Sequence, residues 1–237
     1  MREGYSRFYA DPALQALFAR ELNALESILS GVYGNSGLFI QAHSSIASVL
    51  PAHLLRHVVE LVPSGRNILS GAVRAEPTAL PFGNDSFRLV VVQHGSELVD
   101  DADAFAGELS RVLAPEGIAL VLGFNPYGSW RPWLSWQAAR GARLRLRSSH
   151  EWQHVFARQH IETLQIRYPG LILPNDPSAP VGRYARWITK TFARFGSSWL
   201  LLARKRRSTL TPLRLRSAPR EMALNPRLAP GAHRACA

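Results

Sequence analysis

The sequence is poor in cysteine, with a single residue, Cys236, among 237. One cysteine excludes an intramolecular disulfide and a zinc site built from cysteines, and it suits a reducing compartment. Long apolar runs are also missing: no stretch approaches the roughly 18 uncharged apolar residues that a membrane-spanning helix needs. Residues 1–15 lack the apolar centre of a signal peptide. We therefore expect a cytoplasmic protein without a transmembrane segment.

Lysine is scarce throughout, and acidic residues are scarce in the second half of the chain. Only 2 of the 28 basic residues are lysine, and the formal net charge is +11. Residues 1–124 carry 8 basic and 13 acidic residues, residues 125–203 carry 11 and 3, and residues 204–237 carry 9 and 1. This asymmetry indicates either a polyanionic partner, such as nucleic acid or an anionic membrane surface, or only a genome that favours arginine.

The rest of the composition is that of a globular protein, with 46% hydrophobic and 19% charged residues. The length suits one α/β domain with appended segments. We expect an N-terminal helical segment at residues 1–33, an α/β domain at residues 34–207 and a basic tail at residues 208–237. The tail is rich in proline and arginine and has no apolar period, which predicts disorder.

The apolar periodicity predicts alternating strands and helices. Residues 11–30 repeat leucine and phenylalanine at spacings of three and four behind an Asp-Pro start, which indicates an amphipathic helix. Residues 34–37 break that pattern, and residues 115–117 are expected to end a second helix before a strand. The other predicted helices are 101–113 and 148–160, and the predicted strands are 38–42, 85–93, 118–124, 161–168 and 198–203. The segment after Ser44 is compatible with a helix interrupted by Pro51 and with a strand at 57–62, and we favour the strand.

This alternation, with short connections, predicts a doubly wound, mostly parallel sheet with helices on both faces. Ligands of such sheets bind at the carboxyl ends of the strands. Functional residues are therefore expected just after Ile40, near Glu76 and just after Val92.

Three motifs in residues 75–124 resemble the type 11 branch of class I S-adenosylmethionine (SAM) methyltransferases. They are AEPTALPF at 75–82, DSF at 85–87 and LSRVLAPEG at 109–117, in that order and with the family's spacing. GFNPYGSW at 123–130 and the segment 203–214 are similar to a little-characterised group of proteobacterial methyltransferase-domain proteins. The resemblance covers roughly residues 30–216 and implies a Rossmann-like fold, SAM as cofactor and methyl transfer to an unidentified acceptor.

The resemblance also implies cofactor contacts in the turn after the first strand. Family members carry an acidic residue and then glycines there, because missing side chains let the backbone approach the ligand. This chain has Gln41 at the acidic position and His43, Ser45 and Ala47 at the glycine positions. Gln41, Ala42 and His43 are the cofactor contacts that the resemblance places in this turn.

The remaining implied positions follow later strands. Glu76 matches the acidic residue that accepts from the adenine amino group, and Leu80 follows it in the loop. Gln93 and His94 stand where the family lines the cofactor and acceptor pocket. Because a histidine ordinarily titrates near neutrality, His94 is a candidate general base, and a hydrogen-bonded loop histidine is the alternative.

Three further patterns give competing interpretations. His150, His154 and His160 lack a cysteine or a nearby carboxylate as a third ligand, so we expect no metal site. Tryptophans at 130–136 and arginines at 140–147 indicate either a nucleic-acid or membrane surface, or a charged edge strand at 143–147. The alternative function is therefore a catalytically inactive methyltransferase fold that binds a polyanion through its basic half.

Overall fold

A computed structural model describes residues 8–9, 11–43, 55–65, 67–139, 144–169 and 196–206. The predicted tail at 208–237 lies outside the described residues, as do Ser45 and Ala47 of the predicted cofactor turn. No helix in the described part of the chain combines the length and the apolarity that crossing a membrane requires.

The described strands form one eight-stranded mixed sheet in the order β4-β3-β2-β1-β5-β6-β8-β7. The central strands β2, β1, β5 and β6 are parallel, and β3, β4, β7 and β8 add antiparallel pairs at the two sides. The strands are β1 Gly34–Gln41, β2 Leu55–Gly65, β3 Ile68–Gly71, β4 Arg74–Ala75, β5 Phe87–Gln93, β6 Leu113–Phe124, β7 Ile161–Arg167 and β8 Ser198–Lys205.

Side-chain caps define where most of the described helices begin. Asp11 accepts from the backbone of Ala13 at the start of the first helix, and Asp101 accepts from Ala104 at the start of the second. Ser148 and Glu151 form a reciprocal capping box at the last helix. The helices are α1 Pro12–Leu29, α2 Ala102–Val112, α3 Arg131–Ala139 and α4 Ser149–Arg158, and Ser96–Leu98 is a 3-10 turn.

Apolar layers cover both faces of the sheet, because successive strand residues point to opposite faces. Leu25 and Leu29 of α1 pack with Phe39 and Val91 on one face. The helices α2 and α4 pack on the other face, where the buried aromatic rings include Phe105, Trp152 and Phe156. A third cluster at the carboxyl edge of the sheet contains Phe8, Tyr9, Leu17, Phe18, Phe124 and Trp130.

The doubly wound fold class is confirmed, and the sequence also predicted the type and place of the main elements. The helices predicted at 11–30, 101–113 and 148–160 match α1, α2 and α4 to within two residues. The strands predicted at 57–62, 85–93, 161–168 and 198–203 match β2, β5, β7 and β8. The sheet differs from the mostly parallel one that the pattern predicted, because the strands on its two sides pair antiparallel.

Two glycine-containing segments were wrongly placed outside strands. Gly34 and Gly37 belong to β1 at points of close contact: a Cβ on Gly34 would lie 2.7 Å from the Cβ of Arg88, and one on Gly37 would lie 2.6 Å from the end of the Leu55 side chain. Residues 115–117 belong to β6, where the pairing with β5 shifts register and Glu116 has a φ of 61°. Glycine therefore marks close contacts in β1 and an irregular register in β6, and both segments are parts of strands.

The edge strand considered at 143–147 is wrong for the described residues 144–147, which have no regular structure. The backbone of Arg145 donates to the carbonyl of Glu97. The guanidinium of Arg147 donates to the carbonyls of Ser96, Val99 and Asp100. Arg147 therefore holds this segment against the 3-10 turn.

The tryptophans at 130–136 that suggested a binding surface differ in exposure: Trp130 is buried, Trp133 is half-buried and Trp136 is 48% exposed. Trp152 and Trp199 are buried in the core. The indole nitrogen of Trp199 donates to the carbonyls of Phe124 (3.1 Å) and Arg147 (3.0 Å). Trp199 therefore joins β8 to the end of β6 and to the segment that covers the 3-10 turn.

We predict that Trp199→Phe lowers the free energy of unfolding by about 1–3 kcal/mol, because two buried carbonyls lose their donor while most of the apolar packing is kept. Trp136→Phe is the matched control and should change the free energy by less than about 0.5 kcal/mol. Urea unfolding followed by circular dichroism measures both. Equal effects of the two substitutions would contradict the assigned role of the indole nitrogen.

Candidate functional site

The carboxyl ends of β1 and β5 meet at the edge of the sheet where the sequence predicted a site. Gln41 and Gln93 stand opposite each other in the parallel register, and the backbone nitrogen of Ala42 donates to the carbonyl of Gln93 at 2.9 Å. Both glutamines are buried. The two strand ends therefore present adjacent amide side chains in a place that water hardly reaches.

The strand register brings Glu76 to the same edge. Ala75 in β4 stands opposite Leu69, which stands opposite Pro63 in β2. Pro63 lies two residues beyond Leu61, the partner of Ile40 in β1. Glu76 is therefore level with the turn after β1 and is separated from β1 by three strand spacings, roughly 14 Å. An extended ligand with a nucleoside at one end and an amino acid at the other can cover that span.

Residues 41–43 are the part of the predicted cofactor turn that the structure describes. The side-chain nitrogen Nε2 of Gln41 is buried and has no hydrogen-bond partner. His43 is not among the described non-glycine residues with a positive φ, and its ring stacks on Tyr9 with centroids 5.8 Å apart. Burial lowers the pKa of His43. The backbone at this glycine position is therefore one that a histidine adopts without strain.

Glu76 and Leu80 occupy the two ends of a tight turn. The side chain of Glu76 is exposed, and its carbonyl accepts from the backbone nitrogen of Ala79. The side chain of Leu80 is buried in the main apolar cluster, and its backbone bonds to Glu108 and Arg111 of α2. Glu76 is thus available to a ligand, whereas Leu80 anchors the loop.

His94 lies between two buried carboxylates. Its ring nitrogen Nε2 donates to the carboxylate of Glu21, with N···O distances of 3.0 and 3.1 Å, and Nδ1 donates to Glu97 at 3.2 Å. Glu97 also accepts from the backbone nitrogen of Phe124 (2.8 Å) and from the hydroxyl of Ser96 (3.0 Å). His94, Glu21 and Glu97 are almost completely inaccessible to solvent. We call these three residues the buried charge cluster.

The electrostatics of the cluster keep His94 protonated. Burial alone would lower the pKa of His94, but the charges of Glu21 and Glu97, and their hydrogen bonds to the ring, raise it to about 10. Both ring nitrogens then carry protons that are donated to carboxylates. In this arrangement His94 has no lone pair with which to accept a proton, so the geometry opposes the candidate role of general base and favours a positioning role.

Sequence reasoning missed Glu21 and Glu97. Glu21 lies on the apolar stripe of α1, three residues after Phe18 and four before Leu25, and it is fully buried. An acidic residue within an apolar helical stripe is a signal that could have been noticed, because such a charge needs a partner. Nothing in the sequence names His94 as that partner, since 73 positions separate the two residues.

The described residues hold no group of three or more His, Cys, Asp or Glu that could bind a metal ion. In α4, His150 and His154 are exposed, and His160 follows the helix at an exposed position with a φ of 59°. The carboxylates of the buried charge cluster are engaged by the His94 ring.

Basic residues at the end of β8 are paired with carboxylates. Their charges are therefore partly compensated, and they offer less to a polyanion than the run of basic residues in the sequence suggested. The pairs are Arg204 with Glu116 (3.5 Å), Lys205 with Asp85 (2.6 Å) and Arg206 with Glu162 (3.2 Å). A polyanion contact through residues 208–237 stays a prediction.

Comparison with known proteins finds a family match over part of the chain. Residues 47–121 match the model of the family described as a methyltransferase domain. This segment is similar to a methyltransferase domain, and the chain has the class I methyltransferase fold. The family match and the fold support SAM-dependent methylation as the general activity, and SAM is the cofactor that this family implies. No curated protein matches the chain.

Solved structures share the fold of this methyltransferase domain at low identity. A SAM-dependent methyltransferase from Thermotoga maritima, described as a possible histamine N-methyltransferase, is 15% identical with a TM-score of 0.59, over 85% of this chain and 95% of that chain. Geranyl diphosphate C-methyltransferase from Streptomyces coelicolor A3(2), in complex with Mg2+, geranyl diphosphate and S-adenosylhomocysteine, is 17% identical with a TM-score of 0.53, over 81% and 80%. These similarities show the fold.

The described residues fit the cofactor that the family implies. Gln41 offers a buried donor without a partner at the end of β1, and Glu76 offers an exposed acceptor at the same edge. His43 avoids the left-handed conformation that would have strained this position. One half of the edge thus presents hydrogen-bonding groups to a ligand, while the buried charge cluster closes the other half.

We predict that the free energy of unfolding falls as the pH rises from about 7 to 9.5. The ordinary pKa of histidine, 6.5, is raised to about 10 in the folded chain. The stabilisation is therefore complete below about pH 6.5 and is lost as the pH approaches 10, by about 1.4 kcal/mol per unit. Urea titrations at several pH values measure this dependence.

A matched pair of variants assigns that pH dependence to the cluster. His94→Gln should lower stability at pH 7 by about 3–5 kcal/mol, since two buried carboxylates lose their cation, and the loss should shrink towards pH 10. His154→Gln, on the exposed side of α4, should behave as the unsubstituted chain does. A flat stability profile between pH 7 and 9.5 in the unsubstituted chain would contradict a protonated His94.

Proposed function

We propose that this chain is an active SAM-dependent methyltransferase whose cofactor lies along the carboxyl edge from β1 to β4. In this proposal Gln41, Ala42 and His43 contact the amino-acid end of the cofactor, and Glu76 accepts from its adenine amino group. Leu80 supports the adenine side, and Gln93 lines the place where the transferred methyl group and the acceptor meet.

The observation that carries the proposal is the unpartnered amide of Gln41. A buried N–H group without a hydrogen-bond partner costs about 1–3 kcal/mol. This donor lies at the topological switch point between β1 and β5, where ligands of doubly wound sheets bind. A carboxylate or hydroxyl oxygen of a ligand would satisfy it, and the methionine part of SAM provides a carboxylate.

The chemistry of the reaction explains why no catalytic dyad is needed. SAM, when bound, supplies an activated sulfonium methyl group for in-line displacement. The chain contributes the geometry of approach and the exclusion of water. The rings of Phe18 and Phe124 pack at a tilt against the ring of His94 beside Gln93, which gives the acceptor side of the edge an apolar lining.

The acceptor is not specified by the fold. The two solved structures above are described with different acceptors, one a possible histamine methyltransferase and the other a geranyl diphosphate methyltransferase. The inactive binding module is the alternative. An inactive binding module would bind anionic vesicles or DNA and would not bind S-adenosylhomocysteine.

We predict micromolar binding of S-adenosylhomocysteine to the purified chain, measured by isothermal titration calorimetry. Glu76→Ala should weaken it about tenfold, since the adenine amino group loses one hydrogen bond to a charged acceptor. Glu26→Ala, which removes an exposed carboxylate from α1, is the control and should leave the affinity unchanged. Absence of binding at millimolar ligand would reject the proposed function.

Gln41 gives a second prediction, in which stability and binding change in opposite directions. Gln41→Met keeps the volume and removes the unpaired amide, so the ligand-free chain should be stabilised by about 1 kcal/mol while S-adenosylhomocysteine binds more weakly. Thermal melts and calorimetry measure the two effects. Gln153→Met on α4 is the control for the general effect of replacing a glutamine by methionine. A variant that loses stability and keeps its affinity would show that the Gln41 amide serves packing alone.

A further inference from the structure

A single arginine organises the loop that follows Glu76. All five N–H donors of Arg111, near the end of α2, are used. Nε donates to Glu108 at 2.8 Å, and Nη2 donates to Glu108 at 2.7 Å and to the carbonyl of Leu80 at 2.8 Å. Nη1 donates to the carbonyl of Phe82 at 2.7 Å and to the side-chain oxygen of Asn84 at 3.0 Å.

Glu108 and the α2 backbone complete the attachment of this loop. Glu108 accepts from the backbone nitrogen of Leu80 at 2.8 Å, and the carbonyl of Arg111 accepts from the backbone nitrogen of Asp85 at 2.9 Å. The hydrogen bond from Arg111 lowers the pKa of Glu108, and the same contact raises the pKa of Arg111. We call Glu108 and Arg111 the loop clamp.

The loop needs such a clamp because it has no regular structure of its own. Residues 80–85 lie between the turn at Glu76 and the start of β5, and Pro81 has no N–H to donate. Carbonyls outside a helix or sheet need other donors, and a planar guanidinium reaches several of them at once. The clamp fixes both the N–H and the carbonyl of Leu80, four residues after Glu76.

We propose that Glu108 and Arg111 are positioning residues for the cofactor, an inference that rests on the proposed function. They fix residues 80–85 and thereby hold the carboxylate of Glu76 where it accepts from the adenine amino group. Both act through the loop backbone and leave the ligand contact to Glu76. The clamp also joins the LPF motif to the helix ending in RVL, since Arg111 binds the carbonyls of Leu80 and Phe82.

The test is a double-mutant cycle on ligand binding. Affinities of S-adenosylhomocysteine and of adenosine are measured by calorimetry for the full chain, Arg111→Gln, Glu76→Ala and the double variant. Arg111→Gln should weaken both ligands about tenfold, as the loss of outer supporting hydrogen bonds does at other binding sites. In the Glu76→Ala background, Arg111→Gln should weaken them less than threefold, because the contact that it positions is already gone.

Arg158→Gln is the matched control. Arg158 on α4 makes an ion pair with Asp103 at the start of α2, and both side chains are more than half exposed. This substitution removes a guanidinium that also reaches α2, and it should leave both affinities within twofold. Glu108→Gln is a second clamp variant: its amide oxygen can still accept from Leu80, and it should show the same dependence on Glu76 if Arg111→Gln does not fold.

The outcomes separate this inference from the proposed function. If the unsubstituted chain binds no S-adenosylhomocysteine, the proposed function fails, and the inference fails with it. If it binds, and Arg111→Gln and Glu108→Gln bind as tightly, the positioning role is overturned while the proposed function stands. Equal weakening by Arg111→Gln with and without Glu76 would also overturn it, because a general loss of structure does not depend on one carboxylate.

Discussion

The imidazolium of His94 is held by carboxylates that come from opposite directions along the chain. Glu21 reaches it from α1, and Glu97 reaches it from the 3-10 turn that follows β5. Burying three charged groups is costly unless each is paired and hydrogen-bonded, and here Phe124 and Ser96 supply further donors to Glu97. The positions of α1, the end of β5 and the end of β6 therefore depend on one another.

This constraint divides the carboxyl edge into two halves with different properties. Around His94 the edge is closed by aromatic rings, including Phe18 and Phe124. Towards β4 it is polar, with the buried amide of Gln41 and the exposed carboxylate of Glu76. A ligand with a nucleoside and a charged amino-acid end suits the polar half. The apolar half suits a displacement reaction that proceeds best without water.

The sequence could predict the parts of the fold that depend on local periodicity. The leucine spacing of α1, the β-branched run of β5 and the alternation of elements are local signals, and they were enough to place the carboxyl edge of the sheet after Ile40 and Val92. The antiparallel flanks and the glycines of β1 could not be predicted in this way. Gly34 is required by the side chain of Arg88, which no local window contains.

The site itself was only partly predictable, for the same physical reason. Gln41, Glu76 and Gln93 follow strands, so the rule for carboxyl ends of parallel strands finds them. Glu21 and Glu108 act through partners 73 and 28 positions away. Pairing between distant side chains depends on how helices pack on the sheet, and a pattern in the sequence does not contain that information.

The two ends of the polar half differ in how far they follow the family's pattern, and the structure gives a reason. At the β1 end, His43 replaces a glycine, adopts an unstrained backbone and stacks on Tyr9, a residue that precedes α1. At the β4 end, the motif residues match the family, and Arg111 binds the backbone of the LPF loop with two of its donors and the side chain of Asn84 with a third. A loop held through its backbone tolerates little change in the holding arginine, whereas a turn supported by a stacked ring can exchange a glycine for a side chain. Substitution of the glycine at position 43 is therefore compatible with a Glu76 loop that keeps the family's motif.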